Sequence, residues 1–156
     1  HFSPDGSFMY KSRMTDVGRY LQPSIVATTK DSAIAVERDG TREKKIHFQK
    51  SVDRGKHWSP PVALNENNPG SSLAIVKTNG NRFLMLYNPT REGRNKLVMG
   101  ESLDAKSWRV VSTLESSKNG EYSYPSMIAN GNTIEACYTN NRKVITYIKI
   151  TQTAKN

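Results

Sequence analysis

The chain of 156 residues lacks several features that would place it in a class at once. It has a single cysteine, Cys137, so no internal disulfide can form. The stretch around Cys137 alternates like a strand and predicts a small buried residue. No run of about 18 apolar residues occurs, so no membrane-spanning helix is expected. No charged segment followed by an apolar run opens the chain, so no signal peptide is expected, and the compartment stays open.

Helical periodicity is also missing, because no segment keeps an apolar repeat of 3.6 residues through three turns. The chain instead contains many short segments rich in β-branched or aromatic residues, each bounded by Gly, Asn, Asp or Pro. The sequence therefore predicts an all-β fold, which leaves a sandwich, a barrel or a propeller.

A repeat along the chain separates these three folds. Apolar strand, polar turn and second apolar strand recur with the turns starting at Thr29, Thr78 and Ala129, so the spacings are 49 and 51 residues. A period near fifty residues is typical of a four-stranded propeller blade and not of a sandwich. Three blades do not close a ring, since propellers have four to eight. The predicted partial propeller domain spans 1–156, with units at about 20–65, 70–115 and 121–151 and a lone strand over 7–15.

Acidic residues are scarce, with 14 against 23 basic residues and a formal net charge of +9. Such a chain attracts polyanions. The basic residues are scattered and form no basic helix, finger or RNA-binding signature, so no specific nucleic-acid partner is expected. Anionic glycans suit this charge. No cofactor is expected either.

The stretch "SVDRGKHW", which begins at Ser51, fits the pattern Ser-x-Asp-x-Gly-x-x-Trp. It resembles the Asp-box, or BNR repeat, of sialidases and other propeller proteins. Gly55 supplies a positive φ at no steric cost, and the side chains of Asp53 and Ser51 can fold back onto N–H groups of the turn. Trp58 is expected to cap the apolar layer of the blade. A metal site at Asp53 and His57 is not expected, because two ligands in one turn do not make a site.

A second, degenerate copy of this motif follows one period later. "SLDAKSW" keeps Ser102, Asp104 and Trp108 but is one residue shorter and has no Gly at the matching place. A tighter or irregular turn is therefore expected. In both copies we interpret the motif residues as structural, with a catalytic role for Asp53 as the minor alternative.

A longer resemblance covers nearly the whole chain. An Asn-Pro segment at Asn88 leads to Arg94 before a strand, and a Tyr-Ser pair at Tyr122 opens a later strand, as in the last third of sialidases. "YSYP" at 122–125 and "NNRK" at 140–143 are similar to the bacterial predicted-neuraminidase group. The resemblance implies a six-bladed propeller of which this chain supplies the C-terminal half.

Sialidases bind the carboxylate of a sugar with three arginines, while a Tyr polarised by a Glu attacks the sugar and an Asp acts as acid and base. The resemblance implies that Arg38 and Arg94 are the second and third arginines and that Tyr122 is the nucleophile. Planar guanidinium groups suit a carboxylate. The alternatives are solvated strand-end charges for the arginines and a packing role for Tyr122. Tyr124 is expected to share a strand face with Tyr122.

The chain departs from the family pattern at one important place. Gln22 stands where the Glu that polarises the Tyr is expected. Its amide can position the phenol by a hydrogen bond but cannot accept a proton at neutral pH. Glu37 is a poor substitute, because it should point to the opposite face from Arg38. The first Arg and the acid/base Asp belong to early blades outside this chain.

These observations leave three functional hypotheses open. The leading one is part of a sialidase-like exo-glycosidase that acts on a carboxylate-bearing sugar such as sialic acid. The second is a non-catalytic glycan-binding or interaction module, and the third is a fragment without a site. Because three blades leave strand edges and an apolar flank exposed, a homodimer that completes a six-bladed ring is a further hypothesis.

Overall fold

The structure, a computed structural model of the chain, describes residues 1–16, 18–40, 42–79 and 81–151. This part contains strands, turns and bends and no helix, so nothing in it has the length and apolarity of a membrane-spanning helix. Residues 152–156 of the predicted domain lie outside it. The strands are β1 (Tyr20–Ala27), β2 (Ala33–Asp39), β3 (Lys45–Ser51), β4 (Val62–Asn67), β5 (Ala74–Lys77), β6 (Phe83–Tyr87), β7 (Lys96–Ser102), β8 (Arg109–Ser116), β9 (Tyr122–Asn130), β10 (Thr133–Asn140) and β11 (Val144–Thr151).

The strands form three antiparallel sheets in which consecutive strands are neighbours. Blade 1 contains β1 to β4, blade 2 contains β5 to β8, and blade 3 contains β9 to β11. This simple up-and-down order is that of propeller blades. Among the described residues blade 3 has no fourth strand, so β11 is its outer edge.

Blade 2 is packed on both faces, and its strand β6 shows why. Successive side chains of a strand point to opposite faces, and all five residues of β6 are buried. Met85 belongs to the apolar layer shared with Ile34 and Val36 of blade 1. Its neighbour Leu86 belongs to the layer shared with Ile134 of blade 3. The continuous apolar run of β6 is therefore explained by burial between two blades.

Blade 3 is packed on one face only. Its other face exposes Ile128, Ile145 and Tyr147, each at least 60% accessible. Cys137 pairs across the sheet with Tyr147 and is half-buried on this outer face. The expectation of a buried core cysteine is therefore wrong, because no further blade covers this side among the described residues.

The N-terminal residues do not form the strand expected over 7–15. The described residues there contain one isolated bridge, between Phe2 and Phe8. The segment instead runs over blade 1 and is held through side chains. The Tyr10 hydroxyl donates to the Arg54 carbonyl (2.8 Å), and the Gln49 amide donates to the Met14 carbonyl (2.8 Å). Within the described part of the chain its backbone pairs with none of the named strands, so it forms no ladder.

The first Asp-box forms the turn between β3 and β4. An oxygen of Asp53 accepts hydrogen bonds from the Ser51 hydroxyl (2.9 Å) and the His57 N–H (3.0 Å). Gly55 has a φ of 82°, and its carbonyl accepts from the Trp58 indole N–H (3.2 Å). The His57 ring contacts the same carboxylate and is exposed. These polar groups therefore have their hydrogen-bond partners within the turn itself.

The second Asp-box is a tighter version of this turn. Asp104 accepts from two N–H groups of the turn (2.8 Å each) and from the Ser102 hydroxyl (2.9 Å). These hydrogen bonds, the backbone ones foremost, hold the pKa of Asp104 well below its usual range. Trp108 donates to the carbonyl of Ala105 (3.2 Å), which has a φ of 59°. A single positive-φ residue here replaces the Arg54 and Gly55 pair of the longer turn.

We expect Asp104→Ala to lower the free energy of unfolding by about 1 kcal/mol, because two turn N–H groups lose their acceptor, as when a capping side chain is lost. Urea denaturation measures the change. Leu103→Ala is the matched control, since this neighbouring side chain is 75% exposed. Equal effects of the two substitutions would contradict the structural role of Asp104.

Candidate ligand-binding site

The starts of the three inner strands meet in a cleft of about 320 Å³. Residues 22–24 of β1, 72–74 at the start of β5 and 124–127 of β9 line it. We call it the Tyr124 cleft. A cross-blade hydrogen bond supports this convergence, because the Ile75 N–H donates to the Ser24 hydroxyl (3.0 Å).

The same irregularity opens β1 and β9. Gln22 has a φ of 50° and Tyr124 a φ of 54°, and each is followed by Pro-Ser. The ladder register shifts at both places. Proline cannot donate to a ladder and is therefore found on edge strands and at bulges. The result is that the side chains of Gln22 and Tyr124 both line the cleft.

Tyr122 and Tyr124 have different environments although they are two residues apart. Tyr122 is 5% exposed and packs with Leu97 and Tyr138, whereas Tyr124 is 52% exposed. The Tyr122 ring lies so close to Gly120 that a Cβ there would be 2.6 Å from it. The expectation of a shared strand face is wrong, because the bulge breaks the two-residue alternation between them. The structure thus brings Gln22 together with Tyr124 and not with Tyr122.

The backbone of Tyr122 positions the loop that carries Arg94. Its N–H donates to the Arg94 carbonyl (2.8 Å), and its own carbonyl accepts from the side-chain amide of Asn88 (2.9 Å). Asn88 is fully buried and also bonds the carbonyl of Lys96, so it ties both ends of the loop between β6 and β7 to β9. Tyr122 therefore supports the site through packing and backbone contacts.

Arg94 lies against Tyr124. The carbon of its guanidinium is 5.4 Å from the centre of the Tyr124 ring, a cation–π distance. Its Nη1 is 3.6 Å from an oxygen of Glu121, and its side chain is 21% exposed. The guanidinium is thus oriented on two sides and remains partly open to solvent.

Arg38 has a backbone partner at the connection between blades 1 and 2. Its Nη1 donates to the carbonyl of Gly70, in a loop whose N–H groups bond the buried Asn68 side chain. Among the described residues no hydrogen bond or ion pair joins Arg38 to Gln22, Arg94 or Tyr124.

Glu37 points away from the Tyr124 cleft, on the opposite face of β2 from the apolar layer. It is 2% exposed, lies opposite His47 across the ladder, and has one oxygen without a hydrogen-bond partner. Burial raises its pKa to about 7. Burial also lowers the pKa of His47. Glu37 is not among the residues that line the Tyr124 cleft, so it does not supply the carboxylate that Gln22 lacks.

The one group of metal-ligating side chains among the described residues is Asp39, Glu43 and His47, whose ligand atoms lie within 4.8 Å of one another. Glu43 already has two partners, with its oxygens 3.4 Å from the Arg19 guanidinium and 3.4 Å from His47 Nε2. A guanidinium in contact with a carboxylate opposes the binding of a metal cation there. The geometry favours an ion-pair network.

The repeat contained the signal that points to Tyr124. If the Pro-Ser of β1 is aligned with the Pro-Ser of β9, Gln22 matches Tyr124, 102 residues later, or two periods. The sequence resemblance instead relied on the Tyr-Ser motif and therefore assigned the nucleophile to Tyr122.

A comparison with models of known protein families shows which family the chain belongs to. The model of the BNR repeat-like domain matches residues 1–136. The chain belongs to this family. A search of curated protein sequences found no match.

Solved structures place this BNR repeat-like domain in the sialidase fold. The intramolecular trans-sialidase of Ruminococcus gnavus, in complex with oseltamivir carboxylate, has a TM-score of 0.70 at 17% identity, over 90% of this chain and 34% of that one. A protein of unknown function from Dyadobacter fermentans has a TM-score of 0.68 at 15% identity, over 96% of this chain and 44% of that one. A mutant NanB sialidase of Streptococcus pneumoniae has a TM-score of 0.62 at 17% identity, over 83% of this chain and 23% of that one. These similarities confirm the predicted propeller blades.

The BNR repeat-like domain thus spans less than half the length of each of these structures.

A pH-dependent stability is expected from Glu37. Its pKa of about 7 lies above the usual 4.5, so the stabilisation by the neutral carboxyl is complete below pH 4.5 and is lost as pH rises through about 7. At about 1.4 kcal/mol per pKa unit the loss is on the order of 3 kcal/mol. Glu37→Gln should therefore gain stability relative to the unmodified chain between about pH 5 and pH 8.

Urea denaturation at both pH values measures this difference. Glu92→Gln, at an exposed position, is the control that changes the same charge. Parallel pH profiles for the unmodified chain and the Glu37→Gln variant would overturn the expectation.

Proposed function

We propose that this chain carries part of the acidic-sugar site of a sialidase-like exo-glycosidase, with Tyr124 in the place that the sequence resemblance gave to Tyr122. The ligand is a terminal sugar with a carboxylate, such as sialic acid. The observation that carries the proposal is the meeting of Gln22 and Tyr124 in one cleft with the Arg94 guanidinium beside the phenol.

The charges support an anionic ligand. Arg94 presents a partly open guanidinium beside the Tyr124 ring, which lines the cleft, and a planar guanidinium fork matches a carboxylate. We retain Arg38 as the second carboxylate-binding residue; it is half-buried near the end of β2, and its guanidinium bonds the loop that precedes β5. A neutral phenol avoids repulsion with the sugar's carboxylate, so an exposed tyrosine such as Tyr124 suits the reacting carbon of an anionic sugar.

Gln22 favours a second candidate function, binding without turnover. Its amide can hold the Tyr124 phenol by a hydrogen bond but cannot take the proton that a nucleophilic tyrosine must lose. Glu37 does not replace it, because it lies buried on the other face of β2. A non-catalytic glycan-binding module therefore needs only the residues of this chain, whereas catalysis also needs groups that sialidases supply from other blades.

Binding is tested by titration calorimetry with sialic acid. We expect Arg94→Gln to weaken binding about tenfold, the value of one lost charge-assisted contact of about 1.4 kcal/mol. Tyr124→Phe should weaken it less, and the buried Tyr122→Phe should leave it unchanged. Sensitivity to Tyr122→Phe with none to Tyr124→Phe would reverse the assignment of the two tyrosines.

Catalysis is tested with a fluorogenic sialoside, on this chain and on a longer chain with the upstream sequence restored. Gln22→Glu, which supplies a proton acceptor beside Tyr124, should raise turnover by the longer chain. No turnover from any of these proteins between about pH 4 and 8 would remove the glycosidase proposal and leave the binding module.

The homodimer stays a prediction. The outer face of blade 3, with Ile128, Ile145 and Tyr147 exposed, is the surface that a second copy would cover. Light scattering after size-exclusion chromatography should give twice the mass of 17.5 kDa. A monomeric mass at concentrations of about 100 μM would refute it.

A further inference from the structure

A second polar depression adjoins the Tyr124 cleft. It has a volume of about 710 Å³ and is lined by the loops 92–95 and 118–121 and by Arg142. Arg94 belongs to its wall and contacts the ring of Tyr124, which lines the cleft, so the contact between these two side chains connects the two depressions. We call the second one the Arg142 groove.

Glu121 orients both arginines of the groove. One of its oxygens lies 3.6 Å from Nη1 of Arg94, and its carboxylate accepts from Nε of Arg142 (2.9 and 2.8 Å). The hydrogen bond and the charge of Glu121 raise the pKa of Arg142, and the Tyr124 phenol adds to this effect. Arg142 is therefore held on Glu121 through the Nε end of its guanidinium.

The outer end of Arg142 is open. Its side chain is 72% exposed, and among the described residues its two terminal amino groups make no hydrogen bond. Lys118, on the same groove, is exposed and has no ion pair within the described part of the chain. Terminal guanidinium N–H groups in a fork are the donors that bind carboxylate or sulfate oxygens in pairs.

A similar trio at the other end of blade 2 shows that this arrangement is not the general one. Arg82 and Arg109 both bind Glu101, through Nη1 at 2.8 Å and Nη2 at 2.6 Å. There each arginine binds the carboxylate through a terminal nitrogen, so the terminal N–H groups are already engaged within the ion pairs. In the groove Arg142 uses Nε and keeps its terminal fork for another partner.

The backbone at Arg142 is also unusual. Asn141 and Arg142 are the central residues of the turn between β10 and β11, and both have positive φ, 53° and 54°. The Lys143 N–H closes this turn on the Asn140 carbonyl (3.1 Å). Turns with two positive φ values favour glycine at the second position, because a Cβ there is strained. An arginine in this place indicates a role for its side chain.

We propose that Arg142, with Lys118, binds a second anionic group of the glycan, a carboxylate or sulfate on the sugar next to the one in the Tyr124 cleft. This inference rests on the proposed function. Arg94 marks the junction between the two sugars. The preferred ligand is thus an acidic terminal sugar linked to a charged rather than a neutral second sugar.

The test compares three ligands by titration calorimetry at about 0.15 M salt: sialyllactose, sialyllactose sulfated on its galactose, and sulfated lactose without the sialic acid. We expect the sulfated sialyllactose to bind about tenfold more tightly than the unsulfated one. Arg142→Gln should bring the ratio of the two affinities to near one. Arg109→Gln removes the same charge from an exposed, ion-paired arginine and should leave the ratio unchanged.

The outcomes separate the two proposals. If sulfation brings no gain, or if Arg109→Gln removes the gain as well as Arg142→Gln, the groove is not a specific site. If unsulfated sialyllactose does not bind but sulfated lactose does, and Arg142→Gln abolishes this binding, the groove stands and the proposed function fails.

A second variant guards against misfolding. Arg142→Gly places the favoured residue at the positive φ, so its Tm should equal or exceed that of the unmodified chain. It should nevertheless lose the preference for the sulfated ligand. A retained preference in this stable variant would overturn the role of the Arg142 side chain.

Discussion

Burial of blade 2 on both faces is the constraint on which the rest of the structure depends. Met85 and Leu86 are neighbours in the chain and point in opposite directions, yet both are completely buried. This requires one sheet on each side of blade 2. Once blades 1 and 3 are stacked there, the inner strands β1 and β9 come to lie on either side of β5, and Gln22 meets Tyr124 without any direct interaction between blades 1 and 3 being needed.

The two arginines of the candidate site each lie at a junction between neighbouring blades. Arg38 bonds the loop between blades 1 and 2 at Gly70, and the loop with Arg94 is tied to blade 3 through Tyr122. The orientation of each arginine is therefore set by how two neighbouring blades are joined. Substitutions in these loops change the packing between blades and the binding geometry together.

The local patterns of the sequence were sufficient for the blades. Strands, turns and the two Asp-boxes depend on residues close in the chain, such as Ser51, Asp53 and Gly55. The prediction of an N-terminal strand was wrong, because a segment becomes a strand only when another strand pairs with it. Local sequence does not specify that partner. The prediction that Cys137 is buried was wrong for a related reason, since its burial depends on whether another sheet covers blade 3.

The site was predicted less well than the fold, for a different physical reason. Alternation assigns Tyr122 and Tyr124 to one face, but a bulge before Pro125 resets the alternation, and its position follows from a positive φ that tyrosine rarely adopts. The contact between Glu121 and Arg142 joins residues 21 apart, one directly before β9 and one in the turn between β10 and β11. Such pairs depend on the register of the finished sheet, and no short motif specifies them.

The bulges before the Pro-Ser pairs have a consequence for how such a protein changes over evolutionary time. The side chains at the two bulges are exposed and line the cleft, and neither belongs to the apolar layers between the blades. Blade 1 carries glutamine and blade 3 carries tyrosine at the same backbone position, and the packing of both blades is preserved. The cleft-lining residue of each blade can therefore be exchanged independently, one repeat at a time, on an unaltered scaffold.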